Sequence, residues 1–439
     1  MHPLLIAIQA MCLALPAPSD PPNILLLISD DQGVDRVGAY GEHPQPGQTP
    51  VIDQLAAEGI LFRNAWSSPV CSSTRAGILT GRLGFRTGIT SALSYGSGTV
   101  ELSLDEVTIP EVLGSKYATA AVGKWHMAKE TLSGLDHPIL SGFDHHWGTI
   151  DSFVSADGPG IYYDFDKNVD GTSTPSTTYA TTDNVDDALT LISKLPEPWF
   201  VWLAFNAPHA PYHVPPDELH SYSLSGDPKD SASKHVKASI EAMDTEIGRL
   251  LAGLGDGALA NTTVIFVGDN GTTTQATSAP FKSAHAKGTV FEGGVNVPLI
   301  VAGAGVPVHG RECTALVQTT DLFATIAELG GAPETSAEDS VSLVPYFRWP
   351  ERPSQRRWAF TELRKPTGPG PYNTVRLAVR GARFKLIFDD ATVLAGQSQY
   401  EFYDLHHDPF ESNDLLPGNL TPYQQLVFDR LKELLDGFM

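Results

Sequence analysis

Five apolar runs that end abruptly in polar loops constrain the fold of this chain more than any other feature of its sequence. They occupy residues 24–29, 118–122, 199–205, 264–267 and 297–301. Strands that are apolar on both faces are typical of parallel sheets covered by helices on both sides. Helical patterns separate the runs, for example the apolar positions spaced by three or four across 236–250. This alternation predicts an α/β protein in which an open sheet lies between two layers of helices.

The pattern changes near residue 350, where short, partly alternating strands replace the long apolar runs. The candidate strands lie at 358–363, 374–379, 384–388 and 400–403, and a final helix is predicted at 422–435. These elements predict a smaller carboxyl-terminal α+β unit with a short antiparallel sheet. We therefore divide the chain into a large α/β domain over 20–348 and a second unit over 349–439. Within the first, we interpret 151–183, rich in Thr, Ser, Asp and Tyr, as a long insertion loop that shapes a binding pocket.

The first 19 residues have the pattern of a cleaved signal peptide. Their apolar run, 4–15, is too short to span a bilayer and is followed by Pro16-Ala17-Pro18-Ser19. We therefore expect an exported protein, periplasmic or secreted, and we find no other stretch that predicts a transmembrane segment. Removal of the peptide leaves Cys71 and Cys313, which in an exported protein form either one disulfide or two buried thiols.

The charge balance of the chain excludes several classes of partner. The 439 residues carry 29 Lys and Arg against 51 Asp and Glu, which gives a net charge of −22. A surface this acidic repels the phosphate backbone of nucleic acids and anionic lipids. We therefore expect no nucleic-acid partner, and an anionic substrate would need a local basic pocket.

Carboxylates follow two of the predicted strands, at the position where open α/β sheets bind ligands. Asp30 and Asp31 come directly after the first run, and Asp269 and Asn270 follow the run at 264–267. By itself, an Asp-Asp pair is also typical of a loop that caps a helix. The second acidic strand end favours a cation site, because three carboxylates and a carboxamide are hard oxygen ligands that suit Ca²⁺ or Mg²⁺.

Cys71 stands at the predicted start of a helix that continues from Ser72. A helix amino terminus stabilises negative charge, and Arg75 lies one turn further along the same face. Arg75 is therefore within reach of an oxyanion beside the Cys71 side chain. The residues alone leave two alternatives open, a nucleophilic cysteine and an ordinary buried thiol.

Three further loops supply cations and proton carriers next to predicted strands. Lys124 and His126 follow the run at 118–122, His209 follows the run at 199–205, and Lys287 precedes the last run. Each has an ordinary alternative, such as a surface lysine, a loop histidine or a tight turn. Together with an oxygen-rich metal site and Cys71, they form a set that suits the hydrolysis of a tetrahedral, anionic ester.

These motifs together resemble the sulfatase family of the alkaline-phosphatase-like superfamily, over residues 23–416. The blocks that occur in the order typical of the family are 28–33, Cys71-Ser72-Ser73-Thr74-Arg75 with 80–82, 123–126, 207–211, 268–271 and 287–298, and 403–409 resembles its carboxyl-terminal signature. The resemblance implies a large mixed, mostly parallel sheet sandwiched by helices. It also implies hydrolysis of a small-molecule or carbohydrate sulfate monoester to an alcohol and inorganic sulfate.

The resemblance further implies how the metal and the nucleophile are held. A divalent cation, usually Ca²⁺ with Mg²⁺ as the alternative, would be held by Asp30, Asp31, Asp269, Asn270 and the side chain at Cys71. Cys71 would be converted to formylglycine by a formylglycine-generating enzyme. The hydrate of this aldehyde would supply a nucleophilic oxygen that also contacts the metal.

The remaining residues receive roles from the same resemblance. Arg75 would hold the hydrate in place, and Lys124 and Lys287 would bind oxygens of the sulfate group. His209 would donate a proton to the leaving alcohol, and His126 would assist the release of sulfate. Both histidines and both lysines would therefore be catalytic.

The motif around Cys71 departs from the family pattern at one position. The family has Pro, or sometimes Ala, two residues after the cysteine, and this chain has Ser73. Because the modifying enzyme reads that position, an alternative is a phosphodiesterase or phosphonate monoester hydrolase on the same scaffold, with unmodified Cys71 as its nucleophile. A third hypothesis is a non-catalytic, metal-stabilised binding protein, which the presence of two proton carriers disfavours.

Overall fold

Two separate sheets organise the described part of the chain, one of ten strands and one of four. The computed structural model describes residues 21–93, 99–129, 131–153, 158–332, 337–390 and 400–439. The signal peptide predicted for 1–19 lies outside these residues. Within the described ranges, no helix is both long enough and apolar enough to cross a bilayer.

The large sheet is mixed and mostly parallel, as expected. Its strands are β1 Asn23–Ser29, β2 Ile60–Trp66, β3 Ala118–Gly123, β4 His145–Gly148, β5 Phe165–Val169, β6 Thr172–Ser176, β7 Trp199–Ala204, β8 Thr262–Gly268, β9 Leu299–Gly303 and β10 Arg311–Gln318. Their order across the sheet is β10-β2-β9-β8-β1-β7-β3-β4-β5-β6. Neighbouring strands are parallel except where β9 or β5 is a member of the pair.

All five predicted apolar runs form strands of this sheet, but one of them runs in the unexpected direction. The run at 297–301 falls on β9, which is antiparallel to both of its neighbours, β8 and β2. A run of apolar residues reports burial on both faces, and it contains no information about strand direction. The prediction of a parallel strand at this position was therefore wrong.

Helices cover both faces of the large sheet. The α-helices are α1 Pro50–Glu58, α2 Cys71–Thr80, α3 Gly84–Thr87, α4 Ile109–Leu113, α5 His137–Leu140, α6 Ala180–Ile192, α7 Ala232–Ala260, α8 Glu292–Val295, α9 Asp321–Leu329, α10 Val344–Arg348 and α11 Pro422–Asp436. Leu26 and Ile28 of β1 pack in one core with residues of α2 and α9. Leu25 and Leu27 point the other way and pack in a second core with α1, α6 and α7. The sandwich of helices around a sheet is thus confirmed.

The small sheet follows in the carboxyl-terminal part of the chain. It consists of β11 Ala359–Lys365, β12 Thr374–Arg380, β13 Phe384–Asp389 and β14 Tyr400–Asp404. The strands pair in chain order and are antiparallel throughout. Leu431 and Leu435 of α11 pack on one face of this sheet. All four strands and the helix lie where the sequence predicted them, whereas the domain boundary at 349 stays a prediction.

The segment 151–183 is not the long loop that its composition suggested. It contains β5, β6 and the start of α6, and the β5–β6 hairpin extends the large sheet beyond β4. Asp170 and Gly171 connect the two strands with φ angles of 47° and 87°. An Asp-Gly pair with positive φ at both residues is typical of a two-residue hairpin. The loop prediction was wrong because these edge strands are polar and lack a clear apolar alternation.

Candidate active site

The predicted site residues meet at the carboxyl-terminal edge of the large sheet. Because β8, β1, β7 and β3 are adjacent and parallel, the loops that follow them lie side by side. The backbone N–H of Asp31 donates to Asp269 Oδ1 at 3.1 Å, and Asn270 Nδ2 donates to Asp31 Oδ1 at 2.8 Å. The two acidic strand ends of the sequence therefore form one cluster, and the helix-capping alternative for Asp30 and Asp31 is not needed.

This cluster has the composition of a site for a hard cation. One ligand atom each of Asp30, Cys71 and Asp269 lie within 4.8 Å of one another, and the same holds for Asp30, Asp31 and His209. Asp30 Oδ1 and Asn270 Oδ1 are buried and have no hydrogen-bond partner among the described atoms. A buried acceptor without a partner costs about 1–3 kcal/mol, so a ligand that contacts these oxygens would stabilise the fold. Carboxylate and amide oxygens suit Ca²⁺ or Mg²⁺, and the residues therefore fit a divalent cation.

Three cations interleave with the three carboxylates. The Lys124 ammonium contacts the Asp30 carboxylate, and Lys287 Nζ lies 2.5 Å from Asp31 Oδ1. Arg75 donates from Nε and Nη2 to Asp269 Oδ2 at 3.1 and 2.9 Å. A third bond, from Arg75 Nη1 to the Lys124 carbonyl at 2.7 Å, fixes α2 against the end of β3. Local positive charge is thus present at this edge despite the net charge of −22.

Burial and neighbouring charges move the pKa values of the carboxylates apart. Burial opposes ionisation of Asp30, but Lys124 and the other nearby cations outweigh it and hold its pKa well below the usual range. Burial and the adjacent charge of Asp30 raise the pKa of Asp269 to about 7, although Arg75 acts in the opposite direction. A divalent cation between the two carboxylates would favour the ionised form of both.

Cys71 and His126 lie in direct contact at the start of α2. Cys71 is the first residue of this helix, and its Sγ lies 3.2 Å from His126 Nδ1. His126 Nε2 faces the Leu93 carbonyl oxygen at 2.9 Å, so Nε2 carries the ring proton and Nδ1 is free to accept one. Burial raises the pKa of the Cys71 thiol, with Lys124 and Lys287 acting against it. Cys71 and Cys313 are both free, so the disulfide alternative was wrong.

His209 occupies the most accessible side of the cluster. Its Nδ1 lies 2.6 Å from the Ala210 carbonyl oxygen and must donate to it, which directs Nε2 towards Asp31 Oδ2 at 3.8 Å. The side chains of His209 and Lys287 are 17% and 20% exposed, whereas those of Asp30 and Lys124 are fully buried. A substrate therefore approaches from the side of His209 and Lys287. Burial, with the charge of Lys287, lowers the pKa of His209 to about 4.

Comparison with known proteins decides the family. A family model described as Sulfatase matches residues 22–332. The chain belongs to the sulfatase family. N-acetylgalactosamine-6-sulfatase of Sus scrofa is 32% identical over 391 residues, which cover 80% of this chain and 71% of the relative. Arylsulfatase A of Homo sapiens is 28% identical over 94% of this chain and 87% of its own length.

A solved structure extends the similarity to the whole fold of this sulfatase. The protein crystallised with its substrate D-glucosamine-2-N,6-O-disulfate superposes with a TM-score of 0.74 at 21% identity, over 95% of this chain and 97% of the other. The fold expected from the resemblance is therefore confirmed. The family model and the relatives named as sulfatases confirm the reaction class. The chain is a sulfuric ester hydrolase, and the hypothesis of a non-catalytic binding protein was wrong.

Backbone strain and close packing mark the same loops of the sulfatase. Asp31 and His126 adopt positive φ angles of 68° and 59°, which residues other than glycine rarely do. A β-carbon on Gly271 would lie 1.9 Å from the Gly293 carbonyl oxygen, so the loop after β8 packs backbone to backbone against α8. This contact is the physical reason for glycine at position 271, whereas a β-carbon on Gly293 would lie 2.7 Å from the His285 carbonyl oxygen.

Sequence reasoning missed the residues that support these loops. Thr272 Oγ1 accepts from the Gly33 N–H at 3.2 Å and donates to Asp35 Oδ1 at 2.6 Å, and it thereby joins the loops after β1 and β8. Its position beside the Asp269 motif was the available signal. The Tyr162 hydroxyl contacts the backbone of the His209 loop. No local signal pointed to Tyr162, because its partners are backbone carbonyls 44 and 47 positions away in the chain.

Proposed function

We propose that this sulfatase is an exported enzyme that hydrolyses a sulfated carbohydrate at the cluster described above, with Ca²⁺ and with formylglycine formed from Cys71. The observation that carries the proposal is the meeting of three carboxylates, three cations and two histidines around the first residue of α2. We refer to this set as the active-site cluster, which comprises Asp30, Asp31, Cys71, Arg75, Lys124, His126, His209, Asp269, Asn270 and Lys287.

The oxygen-rich half of the cluster holds the cation. Its ligands are Asp30, Asp31, Asp269, Asn270 and the side chain at position 71, and Mg²⁺ is the alternative to Ca²⁺. The two buried oxygens without hydrogen-bond partners, Asp30 Oδ1 and Asn270 Oδ1, support this assignment. When bound, the cation supplies positive charge that offsets the developing charge of the sulfuryl group and favours an ionised nucleophile.

Position 71 provides the nucleophile. Its place at the amino terminus of the ten-residue helix α2 favours negative charge on the reacting atom. If residue 71 is formylglycine, its hydrate would have two hydroxyl groups, so one would attack sulfur and the other would remain to expel sulfate by C–O cleavage. His126 Nδ1, which lies 3.2 Å from the side-chain atom of residue 71, accepts the proton of that second hydroxyl. Arg75 holds the carboxylate of Asp269 against the same position.

The accessible half of the cluster binds the ester. Lys124 and Lys287 attract the sulfate oxygens, and this local attraction overcomes the acidic surface of the protein. His209 Nε2 points into the same space. Because Nδ1 donates to the Ala210 carbonyl, Nε2 carries a proton only when the ring is a cation, a form that the negative charge of a bound sulfate ester favours. In that form Nε2 donates a proton to the leaving oxygen. A poor leaving group such as a sugar alkoxide depends on this proton more than a phenolate does.

The relatives suggest which ester to assay first. The Sus scrofa relative is named as an N-acetylgalactosamine-6-sulfatase, and the solved structure contains a glucosamine sulfated at oxygen 6. We therefore propose a 6-O-sulfated hexosamine as the substrate class. The carboxyl-terminal unit, 349–439, and the hairpin region within 151–183 would shape the sugar pocket.

One peptide mass and one assay test the proposal. The protein is made in its native host and digested with trypsin, and the peptide 64–75 is weighed. We expect residue 71 as the aldehyde, together with Ca²⁺-dependent release of sulfate from N-acetylgalactosamine 6-sulfate. The amino-terminal sequence of the same sample tests cleavage after residue 19. An intact thiol would contradict the formylglycine mechanism.

Ser73 favours a specific alternative outcome of the same experiment. Its side chain is buried in α2 two residues after Cys71, where the family has Pro or Ala. If the peptide retains its thiol and the enzyme turns over an aryl phosphodiester faster than an aryl sulfate, unmodified Cys71 is the nucleophile. The enzyme would then act as a phosphodiesterase or phosphonate monoester hydrolase.

A further inference from the structure

A buried tyrosine holds the loop that carries His209. Tyr162 ends the short 3-10 helix Pro159–Tyr162, outside the sequence motifs, and its side chain is fully buried. Its hydroxyl oxygen lies 2.7 Å from the His209 carbonyl oxygen and 2.8 Å from that of Asn206. A hydroxyl has one proton, so the two carbonyls share it. The His209 N–H also donates to the Asn206 carbonyl, at 3.0 Å, and the Tyr162 hydroxyl thus closes this turn.

Aromatic stacking fixes the same tyrosine to the far end of the loop. The Tyr162 ring stacks on His213 with centroids 3.6 Å apart and planes inclined by 23°. His213 Nε2 lies 3.0 Å from the Tyr179 hydroxyl, and His213 Nδ1 lies 3.1 Å from the Pro211 carbonyl oxygen. Tyr162 therefore contacts both ends of the loop 206–213, through its hydroxyl at one end and through its ring on His213 at the other. Tyr179 also contacts His213.

The imidazole of His209 depends on this loop for its direction. Its Nδ1 bonds to the carbonyl of Ala210, which belongs to the same loop. A displacement of the loop backbone therefore displaces the imidazole ring as well. A shift of the turn would move Nε2 relative to Asp31 and to the leaving oxygen. Displacements of about 1 Å at a catalytic group lower rates by about 10²-fold.

We infer that Tyr162 is a positioning residue for His209, because its hydroxyl fixes the turn that aims His209 Nε2 at the leaving oxygen. The inference rests on the proposed role of His209 as proton donor to the leaving alcohol. Burial raises the pKa of the Tyr162 hydroxyl well above its ordinary value, so the donor proton is retained at all working pH values. If Tyr162 positions His209, the segment 151–183 contributes to catalysis.

The neighbouring residue offers a matched control. The Tyr163 hydroxyl donates to the Val214 carbonyl at 2.6 Å, just beyond the same loop, and does not contact His209. Tyr162→Phe and Tyr163→Phe therefore each remove one hydroxyl–carbonyl bond. Only the first removes a bond to the backbone of the proton donor.

The test compares two sulfate esters that differ in leaving group. Tyr162→Phe, Tyr163→Phe and His209→Ala are assayed on 4-nitrophenyl sulfate and on N-acetylgalactosamine 6-sulfate. Protonation matters little for the nitrophenolate and strongly for the sugar alkoxide. We expect Tyr162→Phe to lower kcat on the sugar ester by about 10–100-fold and on the aryl ester by less than about threefold. Tyr163→Phe should leave both within about twofold.

Three outcomes would overturn the inference. If Tyr162→Phe lowers kcat equally on the two esters, Tyr162 is a merely structural residue. The same conclusion follows if Tyr163→Phe shows as large a difference between the two esters as Tyr162→Phe does. If His209→Ala shows no preference between the esters, the proposed role of His209 fails, and the inference fails with it. Should Tyr162→Phe not fold, Tyr179→Phe decides: a loss confined to the sugar ester supports the inference, and a uniform loss overturns it.

Discussion

Two of the buried charge clusters among the described residues serve different purposes: the active-site cluster and a second one near the small sheet. The second, which we call the interface cluster, consists of Glu292, Arg380, Lys385 and Glu411. Glu292 accepts from Arg380 Nη1 at 2.9 Å and from Lys385 Nζ at 3.2 Å, and Glu411 Oε1 lies 2.7 Å from Lys385 Nζ. These pairs join α8 of the large domain to β12 and β13 of the small sheet.

The comparison shows what separates a functional cluster from a structural one. Lys385 and Glu411 are fully buried, and no member of the interface cluster has more than 8% of its side chain exposed. Buried polar atoms without a hydrogen-bond partner occur in both clusters, on Asp30 and Asn270 in the first and on Arg380 Nε in the second. The active-site cluster differs because two of its members, His209 and Lys287, are partly exposed. Buried charge is therefore a weak sign of function by itself, whereas buried charge that solvent can reach is a stronger one.

The largest effect is expected at Cys71. Cys71→Ala should lower kcat/KM for a sulfate ester by about 10³-fold or more, because the nucleophile is lost. The melting temperature should stay within a few degrees of the parent, because the change removes only one buried sulfur atom. Activity near that of the parent would exclude residue 71 as the nucleophile.

The interface cluster should respond in the opposite way. Lys385→Met leaves Glu292 and Glu411 buried beside each other, and we expect a loss of about 3–5 kcal/mol in the free energy of unfolding. The kcat of the folded fraction should stay close to that of the parent. Lys432→Met, which removes an exposed ion pair with Asp436 on α11, is the control and should leave the denaturant midpoint unchanged. A similar midpoint for both variants would contradict the structural role of the interface cluster.

Removal of the cation should affect only the active-site cluster. Chelation should abolish sulfate release and lower the melting temperature, since a ligand present at 100 times its Kd stabilises the folded state by about 2.7 kcal/mol. Added Ca²⁺ should restore both. Lys385→Met should show the same Ca²⁺-dependent shift as the parent, because its cluster is separate. If elemental analysis shows that the metal is gone and neither quantity has changed, the metal assignment is wrong.

The smallest effect is expected from titration of Glu411. Burial, reinforced by Glu292 and opposed by Lys385, raises its pKa from 4.5 to about 7. The folded state then binds more protons than the unfolded state between these values, so the contribution of Glu411 to stability falls as pH rises through this range. Glu411→Gln should therefore gain stability relative to the parent between pH 5 and pH 8, on the order of 1–3 kcal/mol. If the difference in the free energy of unfolding between Glu411→Gln and the parent does not change with pH, Glu411 is not the group that titrates in this range.

The sequence predicted what depends on local pattern, and it failed where distant residues decide. The apolar runs and the helix start at Cys71 are local, and they identified the strands and the residues that the structure brings together at the carboxyl-terminal edge of the sheet. The antiparallel direction of β9 depends on its neighbours in the sheet. The β5–β6 hairpin did carry a local signal, Asp170-Gly171, which the polar composition obscured.

The same distinction applies to the sites. Four of the motifs, at 28–33, 123–126, 207–211 and 268–271, follow predicted strands, and a parallel sheet brings the carboxyl ends of its strands to one edge. Which strands are neighbours is decided by the sheet and could not be read from the sequence. The bond between Glu411 and Glu292 joins residues 119 positions apart, and no periodic pattern announces such a pair. Tyr162 likewise contacts His209 across 47 positions, through a hydroxyl whose partner is a backbone carbonyl.

The position of β1 in the centre of the sheet determines when the enzyme can fold during its synthesis. This strand leaves the ribosome before all others described here, yet its partners lie far ahead in the chain: Asn23 bonds to Trp199 across 176 positions, and Asp31 bonds to Asp269 across 238. Until β7 and β8 have been made, five apolar residues that are fully buried in the folded protein, Ile24 to Ile28, have no sheet to join. The nascent chain must carry them exposed, as a hazard for aggregation and a target for chaperones. A chain that is terminated before Asn270 is therefore expected to be an aggregation-prone fragment and not an enzyme of reduced activity.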